Sequence, residues 1–147
     1  MSKPLSVQTC KKRLSALWFL VGAFLFIIVV IQSMLDRYGD RVEDAWKWFL
    51  PTIMPTLSLI VGVLVIDIKS SEKVTKMVDG FLFWLAFCLS AIYLVIVALT
   101  FFIQPFTTTP LLELMHRSNL WLGPLQGLTS ASLGAFFVKA ESADPKK

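Results

Sequence analysis

Four long apolar runs divide the chain at its charges: about Leu14 to Leu35, Leu50 to Ile66, Phe81 to Ile103 and Leu120 to Val138. As helices rising about 1.5 Å per residue, they reach roughly 33, 26, 35 and 29 Å, against a bilayer hydrocarbon core of roughly 30 Å. Acyl chains offer no partners to backbone amides, so each run must satisfy its own N–H and C=O groups as a helix. The expectation is an all-α integral membrane protein: a single domain over 1–147, four transmembrane helices in a bundle of two consecutive hairpins, with tails 1–13 and 139–147. Composition agrees, because 56% hydrophobic and 16% charged residues exceed what one soluble core uses.

Lys and Arg near the ends of the runs set the orientation. Ten of them (Lys3, Lys11, Lys12, Arg13, Lys69, Lys73, Lys76, Lys139, Lys146 and Lys147) fall on one side, and four (Arg37, Arg41, Lys47 and Arg117) on the other. Both termini are expected in the cytoplasm, across a plasma or inner membrane. The net charge of +4 then reads as a topology signal and an affinity for anionic headgroups, not as nucleic-acid binding. The first run is longer than the apolar core of a secretory signal, about 7–15 residues, and no small-x-small cleavage pattern precedes Met34, so it is read as an anchor.

The connecting segments carry helical patterns. Tyr38, Val42, Ala45, Trp46 and Phe49 share one face, Asp40 and Glu43 have capping-box spacing, and Glu43 and Lys47 are an i,i+4 pair. A short interfacial helix is expected there, with a plain linker as the alternative. In the middle loop Val74, Met77, Val78 and Phe81 form an apolar stripe beside the basic Lys69, Lys73 and Lys76, a pattern that suits lipid headgroups. Thr109 and Pro110 offer an N-cap and first-turn proline for a further turn or two, Leu111 to His116.

The second and fourth runs start alike. Trp46 and Trp48 precede Pro51 and Pro55, and Trp121 precedes Pro124. The tryptophans are expected at the headgroup level. Pro51 and Pro124 are expected at the start of their spans, where a missing N–H costs nothing. Pro55, four residues after Pro51, cannot donate to the Pro51 carbonyl and leaves that acceptor free. Short, Pro/Gly-interrupted spans at matching places in two halves also point to transport sites.

The fourth run carries the strongest pattern. Gly123, Gly127, Ala131 and Ala135 recur every four residues, the spacing that lets membrane helices approach closely, and Gly62 is a smaller instance in the second run. Beside the stripe lie Gln126, Thr129, Ser130 and Gly134; an amide and hydroxyls are costly against lipid, so this helix should be covered by its own bundle or by another copy. The first and third runs suit lipid contact better.

No Asp, Glu, Lys, Arg or His falls deep inside a run, which argues against proton-coupled exchange. His116 has no ligand cluster around it, the chain shows no nucleotide loop or nucleophile elbow, and a base for Ser130 or Ser132 is lacking. No enzyme, cofactor or metal is expected. Cys10 and Cys88 are separated by the topology and do not form a disulfide framework; juxtamembrane Cys10 is expected as an unmodified thiol, with acylation as the alternative. The functional expectation is a homo-oligomer built on the fourth helix, with Gln126, Thr129 and Ser130 lining the polar path of a channel or permeabilising pore. The alternative is an accessory or immunity-type subunit that binds a larger membrane partner through the same helix.

Overall fold

The structure, a computed structural model, describes residues 5–69, 77–78 and 80–142. Four helices account for nearly all of it: α1 (Val7–Met34), α2 (Val42–Lys69), α3 (Gly80–Phe102) and α4 (Leu111–Ser142). Three stretches, Val7–Met34, Gly39–Ile66 and Gly80–Phe102, are long and apolar enough to cross a membrane. α4 is longer than any of these, but its hydroxyls and Gln126 dilute its hydropathy.

α3 and α4 form the most extensive hairpin, while α1 packs on α2 and α3, and α4 also packs on α2. The two hairpins therefore lie side by side. At the terminal end, Leu5–Ser6 pairs antiparallel with Met77–Val78, tying the chain start to the segment before α3. That extended pair replaces the helical stripe expected through Met77 and Val78. Lys73 and Lys76 lie outside the described residues, as does the Lys69 side chain.

The α1–α2 connection turns sharply. Asp36 (φ 52°) and Gly39 (φ 54°) take left-handed backbone conformations, and a 3-10 turn, Gly39–Arg41, leads into α2. Glycine and short polar residues are the ones that tolerate this region. Tyr38 is buried beneath the turn and donates to Gln32 Oε1 (2.5 Å). Burial raises its phenol from the usual value of 10.0 to about 12, against a smaller opposing effect of Arg37. A raised folded-state value means stability that is complete below the unfolded pKa of about 10 and is lost as pH climbs toward 12. Absorbance titration should show a tyrosine step near pH 12 that Tyr38→Phe removes.

Several boundaries differ from the sequence expectation. The helix expected on the membrane surface does not stop at Phe49: α2 runs unbroken from Val42 through both prolines, so Pro51 and Pro55 are interior rather than at a helix start. Likewise α4 continues past His116, and Pro124 is interior. A proline removes one donor, and the helix survives when tertiary partners take over the freed carbonyl. The i,i+4 pair is present, with Lys47 Nζ 3.0 Å from Glu43, and Arg41 joins Asp44 at 2.9 Å. Both pairs are exposed, so water and salt screen them and they contribute little.

The core is aromatic. Trp18 of α1 stacks on Tyr93 of α3, ring centroids 5.8 Å apart, and neither is accessible. Towards the connecting turns, Phe49 meets Phe26, Trp46 and Phe101; towards the termini, Phe83 meets Phe136. Gly22 marks the close approach of α1 to α2, since a Cβ there would sit 3.5 Å from Leu57 Cδ1 and 3.6 Å from Ile53 Cγ2. Each span buries one face and exposes Leu, Ile, Val and Phe on the other. α1 and α3 are no more exposed than α2: 33% of their most apolar stretch is buried against 28%.

Candidate functional site

The residues singled out by sequence fall on two opposite faces of α4. One face enters the bundle, with Leu122, Thr129, Ser132, Leu133 and Phe136 buried and Gln126 half-buried. The other carries Gly123, Gly127, Ala131 and Ala135, all exposed, and a Cβ added at either glycine would meet nothing within 4 Å. The small-residue stripe therefore packs against none of the other described helices. Gly62 on α2 is likewise exposed with open space around it. Gly134 is half-buried and lines a groove of about 180 Å³ with Lys11, Leu59 and Phe137.

The polar strip is turned inward, towards the proline segment of α2. Gln126 Nε2 donates to the Pro51 carbonyl at 3.0 Å and approaches the Thr52 carbonyl at 3.4 Å. Pro51 O is the acceptor that Pro55 cannot serve, so a side chain 75 residues away supplies the missing donor. From the other flank, Tyr93 Oη donates to Thr52 O at 2.8 Å. Two helices thus clamp the two carbonyls at the break. Thr129 bonds back to Leu125 O (2.9 Å) and Ser132 to Thr129 O (2.8 Å); Ser130 is half-buried. Gln126 and Thr129 are thereby engaged within one chain.

The tryptophans also part company. Trp121 is exposed, as a headgroup contact requires, and Trp46 is half-buried against Phe26 and Phe49. Trp48, expected at the headgroup level, is instead buried and donates to Ser118 Oγ (3.0 Å) between α2 and α4. Its indole N–H lies deep enough that only a protein acceptor can satisfy it. The two connecting turns are joined by Arg37, which donates to Gln104 Oε1 at 2.8 Å.

A second group of polar side chains was missed by sequence reasoning. Ser15, Trp18, Thr56 and Ser90 are buried, and among the described residues the Ser15, Thr56 and Ser90 hydroxyls and the Trp18 indole N–H have no hydrogen-bond partner. Each such group costs about 1–3 kcal/mol. Single Ser and Thr residues in apolar runs give no sequence signal until the helices are assembled. Cys10, in α1, is buried and Cys88 exposed, and both are free thiols; in this conformation Cys10 is closed to acylation. His116 is exposed, and among the described residues no three His, Cys, Asp or Glu side chains gather as a metal site.

An all-helical bundle with three helices of membrane-spanning length and hydropathy defines the class of the molecule: a helical membrane protein. No family model, curated protein or solved structure matches the chain.

Proposed function

We propose that this chain is a small, non-enzymatic membrane protein with four crossings and both termini in the cytoplasm, which self-associates through the outer face of α4. The observation that carries the reading is the exposed stripe of Gly123, Gly127, Ala131 and Ala135, unopposed within the chain on a helix whose polar groups are turned inward. With Gln126, Thr129 and Ser132 satisfied internally, the outer face of α4 is smooth and apolar enough to lie in a bilayer against another helix. The uneven distribution of Lys and Arg supports the orientation. A channel lined by α4 at a common centre is disfavoured, since Ser130 alone of its expected lining remains uncommitted to a described bond. Self-assembly without such a pore is the form the geometry favours.

Size measurement in mild detergent and in lipid nanodiscs tests this. Wild type is expected to run as an oligomer and Gly127→Leu as a monomer, because a leucine holds the helix backbones apart. A monomeric wild type that copurifies with a different membrane protein, and loses it on Gly127→Leu, would favour the accessory-subunit reading. Planar-bilayer conductance abolished by Gln126→Leu would bring the pore back.

A further inference from the structure

Hydroxyls in a membrane helix normally turn back onto the carbonyl one turn earlier. Ser33, Thr52, Thr100 and Thr129 all do so here, at 2.6–3.1 Å. Ser15, Thr56 and Ser90 do not, although they are 6%, 2% and 0% exposed. For Thr56 the reason is visible: the carbonyl one turn back is Thr52 O, which already accepts from Tyr93 and Gln126.

The three hydroxyls occupy one level of the bundle. Trp18, Tyr93 and Thr52 form a layer, joined by the ring stack and the Tyr93–Thr52 bond. Ser15 precedes Trp18 by three residues and Ser90 precedes Tyr93 by three, on helices running in the same direction; Thr56 follows Thr52 by four on the helix running against them. Each is displaced one turn towards the terminal end, on the face already turned to the core. α4 adds Thr129, three residues beyond Gln126 and fully buried. By these offsets each helix contributes one buried hydroxyl at about this depth, one turn from the Trp18–Tyr93 layer.

We propose that Ser15, Thr56 and Ser90, with the Trp18 indole, form an internal water site, closed in this structure and opened when the proline segment of α2 leaves Gln126 and Tyr93. Water fits the chemistry. The hydroxyls both donate and accept, and the indole only donates, a set that water can bridge. The door fits the backbone, because the helix lacks a backbone donor where Pro55 follows Pro51, and side-chain bonds that can break singly hold it there.

The site goes beyond self-association and is tested separately from it. In full-length protein with Cys10→Ala and Cys88→Ala, reconstituted in phospholipid vesicles, Ser90→Cys is exposed to a small, charged, water-soluble thiosulfonate, with Asp40→Cys as the accessible control. Slow modification is expected, at least ~10-fold faster when Gln126→Leu is added, and unchanged by Gly127→Leu. Equal rates with and without Gln126→Leu, or no modification in either, would overturn the proposal. A second readout avoids the cysteine: Ser90→Ala should lower the thermal midpoint if water bridges the hydroxyls. A raised midpoint means the layer is dry and refutes the site.

Discussion

Replacing Trp18 by alanine is expected to lower the unfolding free energy by about 3–5 kcal/mol, the range for emptying a buried aromatic site. Trp18 has no accessible surface, stacks on Tyr93 with planes 29° apart, and lies at the centre of the bundle. Within a bilayer the loss is of packing rather than of hydrophobic transfer, since lipid is as apolar as the core. Denaturant titration in bicelles measures the effect. Trp18→Phe should retain most of the stability, because a ring still faces Tyr93; a loss for Trp18→Ala below about 1 kcal/mol would mean that the site does collapse.

The second large effect is a coupling. Gln126→Leu should cost about 1–3 kcal/mol by leaving the Pro51 carbonyl without a donor. Pro55→Ala supplies a backbone N–H to that same carbonyl, so the Gln126 amide becomes redundant. On the Pro55→Ala background the cost of Gln126→Leu should therefore shrink by about 0.5–3 kcal/mol, the usual size of coupling between groups sharing a partner. Strict additivity in the double-mutant cycle would show that Gln126 does not compensate for the proline.

The freed acceptor was legible in the sequence, because Pro55 following Pro51 by four residues removes one specific bond. So was the requirement that Gln126 be covered. Which group would meet the other was not legible: the two lie 75 residues apart, and nothing local says that α4 packs on α2 with Gln126 at the level of Pro51. Trp48 was misplaced for a related reason. Tryptophan before a membrane run ordinarily marks the headgroups, but Ser118 offered an acceptor inside the bundle. Prolines do not mark the helix ends here, since a proline removes one hydrogen bond while a neighbouring helix supplies the missing donor.

By itself the sequence determined the long apolar helices, the charged segments that separate them, and the two distinct stripes of α4. Those follow from hydropathy and the period of the helix, which are properties of one segment and its solvent. Only the tertiary structure decided that the polar stripe faces inward and the small-residue stripe outward, that α2 stays whole through two prolines, and that hydroxyls from four helices share one level. Each of these depends on which helix lies beside which, and so on groups distant in the chain competing for the same few buried partners.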